Sequence, residues 1–175
     1  MEVFGLSNFI GTHADEVVVY QDCSGGCAPW SCPETDGFFE LLKAQMNRLK
    51  MTRFTVKSFG QEDQVYTLLD GVRHDDFLEQ KPGMHFPTAE KLRKLTIGDL
   101  LRQKEVPFGM GTWFQPVLDD IAKLPETVLD KAVSISVRKI VRKIIIVTDG
   151  SFYDIDECEA MDKLPQSTLF FKINS

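Results

Sequence analysis

Residues 16–26, EVVVYQDCSGG, decide the fold of this 175-residue chain. The stretch opens with β-branched residues, which are typical of a strand buried on both faces of a parallel sheet. The strand ends at Asp22, and a glycine-rich turn follows it. Because α/β sheets bind ligands beyond the carboxyl ends of their strands, we expect Asp22 to lie at a binding crevice.

The most apolar run of the chain, KIIIV at residues 143–147, predicts a second central strand. Thr148, Asp149 and Gly150 end this run, so a second aspartate directly follows a buried strand. If the two strands are neighbours in the sheet, Asp22 and Asp149 meet at one crevice.

Strand and helix patterns alternate outward from these two runs. Apolar residues recur at helical spacing over residues 37–50, and Asp36 or Thr35 is the predicted N-cap. Residues 53–59 and 65–69 predict a β-hairpin. The other predicted elements are short helices at residues 89–95 and after Thr96, helices following Thr112 and over 155–164, and a strand at 168–173.

This alternation predicts a single α/β domain over residues 1–175 with three layers, α-β-α. We expect a mostly parallel sheet of about five strands in the order 3-2-1-4-5. The third strand is the return strand of the hairpin, so it is predicted to be antiparallel and to lie at an edge.

The charge of the chain argues against several classes of partner. The formal net charge is −6 and the isoelectric point is about 5.1, so the surface repels nucleic-acid phosphates and anionic membranes. The sequence contains no apolar run long enough to span a bilayer, and its first residues do not resemble a secretory signal. We therefore expect a cytoplasmic protein that binds neither nucleic acid nor membrane.

Three of the four cysteines lie within ten residues of one another. Cys23, Cys27 and Cys32 have the spacing C-x3-C-x4-C, which is not that of a zinc knuckle. Reduced thiols in a cytosolic loop are the simpler interpretation. The sequence does not assign a role to this loop.

Three short segments combine into a candidate metal site. Asp22 and Ser24 follow the first strand, Thr112 precedes a helix, and Asp149 follows the KIIIV strand. Together they offer two carboxylates and two hydroxyls, which are hard oxygen donors that suit Mg²⁺, and Mn²⁺ or Ca²⁺ less distinctly.

These residues resemble the metal-ion-dependent adhesion site (MIDAS) of the von Willebrand factor A family, written D-x-S-x-S, then T, then D. Asp22 and Ser24 match the first motif, Thr112 the isolated threonine and Asp149 the final aspartate. The phrase GTWFQP at residues 111–116 is similar to the G-T-D-F-x-P phrase of intracellular bacterial and phage members. Gly26 departs from the pattern, because it stands where the family has a metal-binding serine.

The resemblance implies a non-enzymatic interaction module. A cation held by Asp22, Ser24, Thr112 and Asp149 would leave one coordination position open to an exposed Asp or Glu of a partner protein. Some bacterial and phage relatives act as adaptors of AAA-class ATPases, so the resemblance also implies that role.

Other interpretations stay open from the sequence. Asp22, Asp149 and Thr112 could simply cap helices, and Asp154 could belong to a solvated helix start. An Mg²⁺-dependent phosphoryl-transfer enzyme is a second function, although such folds need an acidic residue where Ser24 stands. A structural or virion-associated protein that has lost the metal is a third, and Gly26 favours it. The oligomeric state is open.

Overall fold

The computed structural model of the protein describes residues 3–78, 88–107, 111–130 and 136–173. Its strands are β1 Glu16–Asp22, β2 Arg53–Phe59, β3 Tyr66–Val72, β4 Thr127–Asp130, β5 Ser136–Lys139, β6 Arg142–Thr148 and β7 Thr168–Lys172. The central sheet has five of them, in the order β3-β2-β1-β6-β7. Counted within that sheet alone, this is the predicted order 3-2-1-4-5, and the predicted fold class is confirmed.

The two strands at the centre of the sheet end at the same edge. β1 pairs in parallel with both β2 and β6, and Gln21 lies opposite Val147 in the register. β7 extends the parallel part beyond β6, whereas β3 pairs antiparallel with β2 and forms the opposite edge. The residues that follow β1 and β6 therefore emerge side by side.

The helices cover both faces of the sheet. They are α1 Val3–Ile10, α2 Pro33–Arg48, α3 His74–Leu78, α4 Thr88–Lys94, α5 Ile97–Gln103, α6 Gln115–Ala122 and α7 Glu157–Lys163. Apolar residues of α1, α2, α4 and α5 form one buried cluster with the sheet, and those of α6 and α7 form a second. The protein thus has the three predicted layers.

Alternation along the central strands explains the two clusters. Successive side chains of a strand point to opposite faces, and in β1 and β6 both faces are buried. Val17, Val19, Ile145 and Val147 belong to the first cluster, and Val18, Tyr20, Ile144 and Ile146 belong to the second. The β-branched runs read from the sequence are therefore buried on both sides.

The predicted N-cap of α2 is wrong for both of its candidate residues. α2 begins at Pro33, with Cys32 in the cap position and no side-chain cap, so neither Asp36 nor Thr35 is its N-cap. The fixed backbone angle of proline suits the first helical position, which moves the start upstream. The Thr35 hydroxyl instead donates a 2.6 Å hydrogen bond to the Cys27 carbonyl.

Several further local features bear on the predictions. The capping box of Thr96 and Asp99 is present at the start of α5. The antiparallel hairpin of β4 and β5 and the helix α1 were not predicted. Within the described residues, no helix combines the length and the apolar character needed to cross a bilayer.

Candidate metal centre

Asp22, the last residue of β1, is fully buried and held by three hydrogen bonds. One carboxylate oxygen accepts the Ser24 backbone N–H at 3.0 Å and the Ser24 hydroxyl at 2.7 Å. The other oxygen accepts the Thr148 hydroxyl at 2.6 Å. Hydroxyls from the turn after β1 and from the end of β6 therefore fix the orientation of this carboxylate.

The electrostatic environment of Asp22 favours an added positive charge. Burial raises the pKa of this carboxyl, and the nearby negative charge of Asp149 raises it further, while the hydrogen bonds from Thr148 and Ser24 oppose the shift. Among the described residues, no Lys, Arg or His lies within ion-pair distance of either aspartate. A divalent cation would supply the missing counter-charge.

Asp149 approaches the same position from β6. The side chain is half-buried, and one of its oxygens accepts the Ser151 backbone N–H at 2.9 Å. Gly150 has a φ of +84°, and a Cβ at this residue would lie 2.7 Å from the Glu157 carboxylate. Only glycine allows this sharp turn, so Gly150 helps to aim Asp149 at the crevice.

A helical turn after Ser24 adds a thiol to the cluster. The Ser24 carbonyl accepts the backbone N–H groups of Cys27 at 3.0 Å and Ala28 at 2.8 Å. Cys27 is fully buried, and its Sγ and one carboxylate oxygen each of Asp22 and Asp149 all lie within 4.8 Å of one another. Burial and the negative charges of the two carboxylates raise the pKa of the Cys27 thiol.

Gly26 borders the cluster where the family motif has serine. A Cβ built at Gly26 would lie 3.5 Å from a carboxylate oxygen of Asp149, which is an ordinary van der Waals contact. The backbone at Gly26 is exposed and does not have a positive φ. A serine side chain would therefore fit beside Asp149. Because residue 26 is glycine, the cluster lacks the hydroxyl that the family motif has at this edge.

Thr112 lies in a neighbouring loop that is tied to both aspartate loops. Its backbone carbonyl accepts the Tyr153 N–H at 2.8 Å. Trp113 forms an isolated bridge to Gly60, and a Cβ at Gly60 would lie 3.4 Å from the Ser24 nitrogen. The Thr112 side chain is buried, but it is not among the hydrogen-bond donors to Asp22.

Asp154 holds the start of the helix that follows Thr112. Its carboxylate accepts the backbone N–H groups of Phe114 at 3.0 Å and Gln115 at 2.8 Å. The N-cap position of α6 is Phe114, so the simple interpretation of Thr112 as the cap is wrong. Asp154 is thus not merely solvated, since it links the loop after Asp149 to the loop of Thr112.

Sequence reasoning thus found part of the cluster. The structure brings Asp22, Ser24 and Asp149 together. Cys27 and Thr148 were not among the predicted ligands, although both contact Asp22. The threonine could have been suspected, because it ends the strand that neighbours β1, whereas the thiol depends on a turn that its spacing does not reveal.

Exposed aromatic side chains lie on the loops that carry the cluster residues. Tyr153 is 69% exposed, and its ring packs edge-on against Trp113 with centroids 6.1 Å apart. The same ring covers Gly111, where a Cβ would lie 2.3 Å from it. Trp30, in the loop between β1 and α2, is 57% exposed. Large exposed rings beside a polar cluster are typical of binding surfaces.

Comparisons with known proteins add information about the fold. No family model matches the chain, and no curated protein sequence matches it significantly. The structure is similar to proximal thread matrix protein 1 from the mussel byssus, with 17% identity and a TM-score of 0.50, over 90% of this chain and 37% of that one. A von Willebrand factor type A structure from Catenulispora acidiphila has 16% identity and a TM-score of 0.47, over 91% of this chain and 32% of that one.

The chain spans about a third of the length of these solved structures. At this low identity the likeness is one of fold, and it assigns no activity or partner. Together with the strand order and the antiparallel edge strand, the likeness to proximal thread matrix protein 1 confirms the resemblance found in the sequence. The protein therefore has a fold of the von Willebrand factor A kind.

Proposed function

We propose that this protein is an interaction domain that holds a divalent cation at the edge of its sheet and uses it to bind an acidic side chain of a partner protein. The protein ligands are Asp22, Ser24, Thr112 and Asp149, acting directly or through water. All four side chains offer oxygen donors, which suit Mg²⁺ and also Mn²⁺ or Ca²⁺.

The proposal rests on one observation. Two aspartates that are far apart in sequence follow adjacent parallel strands, and their oxygens lie within 4.8 Å of each other and of a Cys27 Sγ. Holding two carboxylates so close costs free energy unless a proton or a cation compensates their charge. The described residues supply no such cation from the protein itself.

The partner's role follows from charge and access. Asp149 is half-buried and Gly26 is exposed, so the cluster is open to solvent on this side. A cation that keeps part of its positive charge there attracts a carboxylate, and the surrounding low-dielectric protein strengthens the attraction. Trp30 and Tyr153 then offer apolar area to the residues that flank the partner's carboxylate. An AAA-class ATPase stays the partner class that the sequence resemblance implies.

The test is capture of binding partners from a cell extract by the immobilised domain, with Mg²⁺ and Mn²⁺ or with EDTA. We expect partners that are retained with metal and released by EDTA. Asp149→Asn should lose them, because it removes one carboxylate at a half-buried position.

Asp162→Asn is the matched control. It makes the same change of charge at an exposed residue of α7. The control should behave as the wild type does. Recovery of the same partners with EDTA, or on the Asp149→Asn domain, would contradict a cation-dependent interaction.

A further inference from the structure

The thiol of Cys27 lies inside the proposed cation site. Its sulfur and the oxygens of Asp22 and Asp149 are within 4.8 Å of one another, and Cys27 is fully buried. On a tetrahedral zinc ion, with bond lengths of about 2.3 Å for sulfur and about 2.1 Å for oxygen, two donor atoms lie about 3.4–3.6 Å apart. With Asp22 fixed by its hydrogen bonds, rotations of Cys27 and Asp149 that close the cluster by about 1 Å would bring all three atoms onto one ion.

The orientation of Cys27 supports a role in the cluster. A structural cysteine in an apolar core normally has only apolar neighbours. Here Cys27 borders the first apolar cluster on one side, while its sulfur lies within 4.8 Å of carboxylate oxygens of Asp22 and Asp149. The helical turn from Ser24 fixes this direction through the backbone N–H of Cys27.

A thiol changes which metals the site prefers. Mg²⁺ and Ca²⁺ bind oxygen, whereas thiolate ligands favour Zn²⁺ and similar softer ions. Gly26 also favours softer metals, because glycine lacks the serine hydroxyl, a hard donor, that the family motif has beside Asp149. The chain thus lacks one hard donor and has a soft donor at the adjacent residue.

We propose that the site selects thiophilic divalent metals, with Zn²⁺ bound more tightly than Mg²⁺, through Cys27 Sγ and the carboxylates of Asp22 and Asp149. A fourth position stays open to the partner's carboxylate. The thiol proton is released to solvent when the ion binds. This inference rests on the proposed cation site and replaces its predicted preference for Mg²⁺.

The test uses Co²⁺ as a spectroscopic substitute for Zn²⁺. The metal-free protein is titrated with Co²⁺, and absorption is followed in the near ultraviolet, where sulfur-to-cobalt charge transfer appears only when a thiolate is bound. We expect this band in the wild type and its displacement by Zn²⁺ but not by equal Mg²⁺. In Cys27→Ser the band should disappear, and Zn²⁺ affinity should fall at least about tenfold, since even an outer-shell partner is worth that much.

Cys158→Ser is the control, because Cys158 is an exposed thiol on α7. This variant should keep the band. Co²⁺ binding without a charge-transfer band in the wild type would overturn the inference and leave the proposed cation site standing, and so would a band that persists in Cys27→Ser. Absence of binding by Co²⁺, Zn²⁺, Mn²⁺ and Mg²⁺ alike would overturn both. The wild-type spectrum decides even if a variant fails to fold.

Discussion

At the scale of single residues, the candidate site depends on how its hydroxyls and carboxylates are oriented. The hydroxyls of Ser24 and Thr148 hold the buried Asp22 from two sides, at 2.7 and 2.6 Å. A hydrogen bond to a charged group contributes about 1.5–3 kcal/mol, so this carboxylate keeps one orientation before any ion binds. Such an arrangement reduces the cost of ordering the ligands.

Gly26 offers a direct test of the departure from the family motif. We predict that Gly26→Ser increases Mg²⁺ affinity about tenfold, which corresponds to about 1.4 kcal/mol. The new Cβ makes only an ordinary contact, 3.5 Å from the Asp149 oxygen, and the hydroxyl adds a hard ligand. The measurement is calorimetric titration with Mg²⁺.

Gly26→Ala is the control for this substitution. It adds the same Cβ without an oxygen, so Mg²⁺ affinity should stay at the wild-type value. An equal gain in both variants would mean that backbone stiffening, and not a hydroxyl ligand, causes the change. Unchanged affinity in Gly26→Ser would contradict the placement of the ion beside Asp149.

The sequence predicted the candidate ligands Asp22, Ser24 and Asp149 in this cluster, and it missed Cys27 and Thr148. Asp22 and Asp149 could be predicted because each ends a β-branched run, and parallel strands bring their carboxyl ends together. Cys27 could not, since its position depends on the helical turn that begins at Ser24. Asp154 caps a helix about 40 residues away in sequence, and no local pattern reveals such a contact.

At the scale of elements, the loop after β6 connects two parts of the candidate site. Asp149 begins this loop, and Asp154, further along it, accepts two backbone N–H groups at the start of α6. Tyr153 donates its N–H to the Thr112 carbonyl between them. Thr112 and Asp149 are therefore held by one short segment.

Asp154→Ala should weaken both the helix and the metal site. We predict a loss of about 1 kcal/mol in the free energy of unfolding, as for other lost N-caps, measured by urea denaturation. Metal affinity should also fall, because the loop of Thr112 loses its attachment to the Asp149 loop.

Asp156→Ala is the comparison for this variant. Asp156 caps α7 by accepting the Cys158 N–H at 3.3 Å, and α7 holds none of the proposed ligands. It should lose a similar stability and keep its metal affinity. If both variants lost affinity equally, the effect would be one of global stability, and the connecting role of Asp154 would be wrong.

At the scale of the whole molecule, the fold could be predicted because local and global signals agree. The runs in β1 and β6 are buried on both faces, which only a sheet covered by helices on both sides provides. The predicted start of α2 is wrong, because the helix begins at Pro33, upstream of Thr35 and Asp36, which were the predicted caps. The hairpin of β4 and β5 was missed, since its strands are only four residues long and lie outside the central sheet.

The fold brings residues 22 and 149 to the ends of two adjacent parallel strands, where we propose that they share one ion. Isothermal titration calorimetry of the metal-free protein with Zn²⁺ and then with Mn²⁺ measures this most directly. We predict one ion per chain in the wild type and in Asp162→Asn, and at least about tenfold weaker binding in Asp149→Asn. No binding of either ion by the wild type, or undiminished binding by Asp149→Asn, would contradict a cation held between these two strands.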